Sequence, residues 1–137
     1  MTDVPASFQP GRNFPRRILA ADDDPVIREF LKLYLALDGV EVNAVDDGEP
    51  AIARLSDGYD LLVLDLDMPG KTGFDVLRAL GALALPRPLP VVVLTSRTDA
   101  GAIADAFELG ASAYVLKPIS RDTLTAKVAS VYTATRL

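Results

Sequence analysis

Five short apolar runs recur along the chain, and four of them stop at a polar side chain. Arg17-Ile18-Leu19-Ala20-Ala21 runs into Asp22-Asp23-Asp24-Pro25, Leu61 to Leu64 ends at Asp65, Val91 to Leu94 at Thr95-Ser96, and Ala113 to Leu116 at Lys117-Pro118. The remaining run, Val40 to Val45, is more polar and suits a strand nearer an edge. Continuous apolar runs of strand length fit parallel strands covered on both faces. Between them the spacing becomes helical. Ile27, Phe30, Leu31, Tyr34 and Leu35 follow an Asp24 cap and a first-turn Pro25, and Gly39 is the expected stop. Asp47 caps a short helix over Gly48 to Leu55, with Pro50 still in its first turn. Thr72 and Asp75 resemble a capping box ahead of Phe74, Leu77 and Leu80. Pro86, Pro88 and Pro90 mark a stiff, extended loop. Thr98 or Asp99 starts a helix that stops at Gly110. It is rich in Ala and Gly, with only Ile103, Phe107 and Leu109 as large apolar residues, so it should be thinly held. Ser120 caps a last helix whose apolar face is Leu124, Val128, Val131 and Tyr132. Five strands alternating with five helices predict an α/β domain: a doubly wound parallel sheet with right-handed crossovers. Residues 1–15, with Pro5, Pro10, Gly11 and Pro15, read as a flexible N-terminal arm, and residues 16–137 as the domain.

Composition narrows the function. The 137 residues fit one domain. A net charge of −5 argues against direct binding to nucleic acid, which needs clustered Lys and Arg. No apolar run reaches the length of a membrane span, and residues 1–17 have no apolar core of a signal peptide, so a cytoplasmic protein with no membrane partner is the default. The chain has no cysteine, which removes disulfides and thiolate metal sites. It also has no histidine, so it carries no His base, His metal ligand or phosphohistidine of its own.

The chemistry gathers at the strand ends. In open parallel sheets the ligand crevice lies at the carboxyl ends of the strands. Asp22, Asp23, Asp65, Thr95 and Lys117 all stand there, and Asp24 alone has a capping role that explains it. Two carboxylates about 5 Å apart repel by roughly 3 kcal/mol at an effective dielectric near 20. Three need a counter-charge. Lys117 supplies one, and a hard divalent cation, Mg²⁺, suits clustered oxygen ligands better. A carboxylate beside Mg²⁺ can attack a phosphoryl group, whose oxygens the metal, the Lys117 ammonium and the Thr95 hydroxyl can bind.

Taken in order, Ile18-Leu19-Ala20-Ala21-Asp22-Asp23-Asp24-Pro25, Leu64-Asp65-Leu66-Asp67-Met68-Pro69-Gly70, Leu94-Thr95-Ser96 and Gly110-Ala111 through Tyr114-Val115-Leu116-Lys117-Pro118 make residues 16 to about 134 resemble the receiver domain of two-component response regulators. The resemblance implies a flavodoxin-like fold with strand order 2-1-3-4-5. It implies that Asp65 is the phosphoacceptor, supplied by a sensor histidine kinase or a histidine phosphotransferase. Asp23 would ligate Mg²⁺, Asp22 would bind it through water, and the backbone carbonyl of Asp67 would complete the protein ligands. Thr95 would swing toward the phosphoryl group, Tyr114 would turn inward behind it, Lys117 would contact a phosphoryl oxygen, and the Lys117–Pro118 peptide bond would be cis. One departure is the loop Gly70-Lys71-Thr72-Gly73, which lacks the acidic residue often found before the second glycine. That position touches a loop rather than the phosphoryl site.

Other readings stay open at this level. Tyr114 also suits a surface aromatic, and Thr95 a strand-end residue serving the next helix. The Asp65-Leu66-Asp67 pair resembles the first motif of haloacid-dehalogenase-type phosphatases, though that motif follows the first strand and needs more chain. A receiver-like scaffold that is never phosphorylated is a further class. Met1 and the lack of a linker after Leu137 favour a stand-alone receiver over one excised from a larger regulator or hybrid kinase. In the receiver reading the chain is not itself an enzyme. A downstream protein target would meet the face formed by the fourth helix, fifth strand and fifth helix, which Thr95 and Tyr114 flank. Asp67 and Arg97 lie two residues beyond Asp65 and Thr95, and their side chains are placed to pair across the site mouth and set the lifetime of the phosphorylated state.

Overall fold

The computed structural model describes residues 8–136. They form β1 (Arg17–Ala21), α1 (Pro25–Leu35), β2 (Glu41–Val45), α2 (Gly48–Arg54), β3 (Leu61–Asp65), α3 (Gly73–Gly81), β4 (Val91–Thr95), α4 (Ala100–Glu108), β5 (Ala113–Leu116) and α5 (Arg121–Thr135). The five strands make one parallel sheet in the order β2-β1-β3-β4-β5. The doubly wound, flavodoxin-like architecture read from the sequence is the architecture observed. Among the described residues no helix is long and apolar enough to cross a membrane.

The strand period of two sorts side chains into two cores. Leu19, Ala21, Leu62, Leu64, Val91 and Val93 point to one face, where Leu55, Val76, Leu77 and Ala106 cover them. Ile18, Ala20, Leu61, Val63, Val92 and Leu94 point to the other, under Leu31, Leu35, Leu124, Val128 and Tyr132. The central strands β3 and β4 are buried throughout, whereas β2 is an edge strand with partly exposed side chains. Asp24, Asp47, Thr72, Asp99 and Ser120 cap the five helices, and the Thr72–Asp75 capping box is complete. Asp99, not Thr98, is therefore the start of α4.

The end of α1 and the N-terminal segment depart most from the sequence reading. α1 ends at Leu35, because the Leu37 and Val40 amides donate within a turn, and Gly39, at φ +88°, turns the chain into β2 instead of stopping the helix. Residues 1–7 of the expected arm lie outside the described residues. Residues 8–15 do not behave as an arm. The Gly11 amide donates to the Phe14 carbonyl at 2.7 Å, and the Phe14 side chain is fully buried against the α1 and α5 side of the core. The Phe8 ring lies 5.2 Å from it. Phe14, with Phe8 packed against it, seats that turn. Phe14→Ala is expected to destabilise the domain by about 3–5 kcal/mol in denaturant unfolding, the range for emptying a fully buried aromatic site. A loss below about 1 kcal/mol would show that the turn is not part of the folded unit.

Candidate functional site

Parallel register brings the strand ends to one level. Ala21 pairs with Leu64, Asp65 with Leu94, and Thr95 with Leu116. The next residue on β1 and the last on β3 are thus neighbours, and Lys117 follows directly beside Thr95. The structure brings together Asp22, Asp23 and Asp65, whose carboxylates each offer an oxygen within 4.8 Å of the others. Asp22 and Asp65 are buried, whereas Asp23 faces solvent. Lys117 Nζ lies 2.9 Å from Asp22 Oδ2 and 3.7 Å from Asp65 Oδ1. The Lys117–Pro118 peptide bond is cis, and the Lys117 amide donates to the Thr95 carbonyl at 2.8 Å.

The buried carboxylates are only partly satisfied. Asp22 Oδ1 accepts the Asp24 amide at 2.9 Å. Asp22 Oδ2 touches the Lys117 ammonium, yet no donor addresses it in hydrogen-bond geometry. Asp65 Oδ1 accepts only a long bond from the Asp67 amide, at 3.3 Å. Burial, and then the charge of Asp22, push the Asp65 carboxyl up to about 7, against the opposing pull of Lys117 and the Asp67 amide. Burial pulls the Lys117 ammonium down, but the contact with Asp22 and the charges of Asp65 and Asp23 outweigh it, so its pKa lies above the usual value. A buried carboxylate oxygen without a directed donor, in a cluster of three carboxylates with one ammonium, fits a hard divalent cation.

The loop after β3 is held by close backbone approach. A Cβ on Gly73 would lie 2.4 Å from the Asp65 carbonyl oxygen, so only glycine lets α3 start beneath that strand end. The Gly73 amide donates to the Leu66 carbonyl at 3.0 Å. Thr72, at the position where an acidic residue is often found, is the α3 cap, so the departure noted in the sequence acts on a helix start.

The other side of the mouth centres on Arg97. Thr95 is fully buried, and its hydroxyl accepts the Arg97 amide at 3.1 Å. The half-buried Tyr114 donates from its hydroxyl to the Arg97 carbonyl at 2.9 Å, so it is not a free surface aromatic. Arg97 Nη1 reaches Asp67 Oδ1 at 3.4 Å, the pairing expected from their spacing. The sequence reading missed that Arg97 Nε and Nη2 also grip both oxygens of Asp99, at 3.1 and 3.2 Å. It also missed Arg28, whose Nη1 donates to the Asp22 carbonyl at 2.8 Å. An acidic residue two positions from an arginine at a helix start was the available signal for the first. Nothing in the sequence singled out the second.

The sequence matches the model of the response regulator receiver domain over residues 18–129. The chain is similar to the DNA-binding response regulator MtrA of Mycolicibacterium smegmatis, 38% identical over 114 residues that cover 82% of this chain and 49% of that protein. It is also similar to the transcriptional regulatory protein CpxR of Escherichia coli K12, 37% identical over 84% of this chain and 48% of that protein. The chain thus spans about half the length of these relatives. Among solved structures, the chemotaxis protein CheY4 of Vibrio cholerae superposes with a TM-score of 0.78 at 28% identity, covering 84% of this chain and 97% of that one. A putative response regulator from Chloroflexus aurantiacus gives 0.79 at 31%, covering 86% and 98%. Asp65 closes the third strand rather than the first, which leaves the phosphatase-type reading of Asp65 and Asp67 without its expected context. Receiver domains are signalling domains that histidine kinases phosphorylate and that bind Mg²⁺ at an acidic pocket. With the match extending over most of its length and the same sheet order, the chain belongs to the receiver domain family of two-component response regulators.

Proposed function

We propose that this chain is a phosphoacceptor in His–Asp signal transduction, with Asp65 as the acceptor. The observation that carries the reading is the cluster of Asp22, Asp23 and Asp65 within 4.8 Å, with Lys117 against it. Asp22, Asp23, Asp65 and the Asp67 carbonyl would hold Mg²⁺, which supplies charge neutralisation for an incoming phosphoryl group. An Asp65 carboxylate oxygen attacks the phosphorus of a partner's phosphohistidine. The P–N bond breaks, its electron pair leaves with the imidazole, and an acyl phosphate forms on Asp65. The donor is a sensor histidine kinase or a histidine phosphotransferase, since this chain has no histidine. The Lys117 ammonium is placed to bind a phosphoryl oxygen. Thr95 gives up the Arg97 amide and donates its hydroxyl to another, with Tyr114 following behind it. α4 buries only Ala102 and Ala106, so it is the element of the α4, β5 and α5 face least tied to the core, and that face is the one offered to a downstream protein. The acidic balance of the chain supports a protein partner rather than nucleic acid there.

With Mg²⁺ and acetyl phosphate, wild-type protein is expected to take up one phosphoryl group and Asp65→Asn none, measured by intact-mass spectrometry. Stoichiometric labelling of Asp65→Asn would overturn the assignment.

A second outcome concerns pH. Asp65 titrates near 7 in the fold against a usual value of 3.8, so between those limits the folded protein binds a proton that the unfolded chain has lost. Stability therefore falls as pH rises through that window in metal-free protein. Asp65→Asn removes the buried charge. Its melting temperature with chelator present should exceed wild type at about pH 8 and match it near pH 4. Added Mg²⁺ should raise wild type at the higher pH and leave Asp65→Asn nearly unmoved.

The Arg97–Asp67 pair lies beside Asp65, where it would restrict an attacking water. Arg97→Ala is expected to shorten the lifetime of the phosphorylated state several-fold, read as loss of labelled protein over time. An unchanged rate would remove Arg97 and Asp67 from lifetime control.

A further inference from the structure

Arg97 makes more contacts than a gate requires. Its Nε and Nη2 form a two-pronged pair with Asp99, its Nη1 reaches Asp67, its amide serves Thr95, and its carbonyl holds Tyr114. The Phe74 ring lies 5.9 Å from the guanidinium carbon, which limits where that group can go. Asp99 has a second duty. Its Oδ2, the oxygen that meets Arg97 Nη2, also accepts the Ala102 amide at 3.2 Å and so caps α4. One carboxylate therefore joins the guanidinium at the site mouth to the first turn of the helix that is least tied to the core.

We propose that Asp99 is an internal anion that competes with the phosphoryl group for Arg97, so that phosphorylation of Asp65 draws Arg97 off Asp99 and loosens the start of α4. The inference rests on Asp65 being the acceptor. Arg97 has a fixed number of donors, and the two on Asp99 are the ones with the shortest contacts. The Asp67 contact is longer, at 3.4 Å, and leads toward Asp65, whose Oδ1 accepts the Asp67 amide. A new anion on Asp65 adds to the pull from that side. Hydrogen bonding to Arg97 holds the Asp99 carboxyl below its usual range, and the same bonds hold the guanidinium above its own, which is the mutual preference a competitor must overcome. Asp99 is thus a positioning residue that acts through Arg97, and its charge weakens the phosphorylated state.

The test uses the full chain with Mg²⁺ and beryllofluoride, a phosphoryl mimic, titrated while amide resonances are followed by NMR. Asp99→Asn keeps a side-chain oxygen able to cap α4 and removes the competing charge. It should lower the half-saturating beryllofluoride concentration about two- to fivefold, the range of an exposed ion pair. Asp99→Ser, which also caps, should do the same, and either variant suffices if the other fails to fold. In the Arg97→Ala background Asp99→Asn should have no effect. In wild type, loading should speed amide exchange in the first turn of α4, and in Asp99→Asn that acceleration should vanish. An unchanged half-saturation point, or the same gain without Arg97, would overturn the competition. Failure of wild type to bind beryllofluoride would instead overturn the assignment of Asp65.

Discussion

Three carboxylates are held within 4.8 Å on the rim of a sheet whose interior excludes water. Repulsion between two such charges is about 3 kcal/mol at 5 Å and an effective dielectric near 20, and burial raises it. No local feature of the loops would gather them. The sheet does, because parallel pairing of Ala21 with Leu64 sets the ends of β1 and β3 level, and each strand is fixed by apolar cover on both faces. The core energy that makes the domain fold is thus also what compels Asp22 beside Asp65. Lys117 relieves part of the cost from a third strand. What remains is a site whose charge is only partly met, and this is the property that favours a cation.

The same sheet divides the domain into parts that can and cannot respond. β3 and β4 are buried from end to end, and displacing either would break both cores. The region from Thr95 to α4 is joined to the site through hydroxyls, one guanidinium and one helix cap. Such contacts are individually weak and can exchange partners without exposing apolar area. A change of charge at Asp65 therefore has a soft direction to act along, toward α4 and β5, and a stiff one, into the sheet.

Much of this was legible in the sequence, for identifiable reasons. Apolar runs of β3 and β4 fix strands without ambiguity because both faces are covered, and strand ends then place Asp22, Asp65, Thr95 and Lys117 on one rim. Caps such as Asp24 and Thr72 were readable because their hydrogen bonds are local. What escaped was not local. Phe14 stands among prolines and a single glycine, and only the gap it fills beside α1 and α5 gives it a structural role. Gly39 is a plausible helix stop by composition, and the turn that actually precedes it depends on carbonyls chosen by the fold. Asp99 was legible as a cap, but not as the partner of Arg97, because a side chain's second contact follows from where it projects rather than from its spacing.

This division bears on how such a domain can vary. Residues set by strand register, Asp22, Asp65 and Lys117, determine which chemistry is possible, and moving any of them requires moving a strand. Asp67, Arg97 and Asp99 sit on loops, touch through exposed ion pairs and carry little of the stability. Substituting them alters charge around the mouth of the site while leaving the cluster beneath intact. In the proposed phosphoacceptor role, the timing of the phosphorylated state would therefore be adjustable at small cost to folding, whereas the ability to be phosphorylated would not. In this chain the loops carry an arginine shared between two acids, an arrangement that ties the α4 cap and the site mouth to the same side chain.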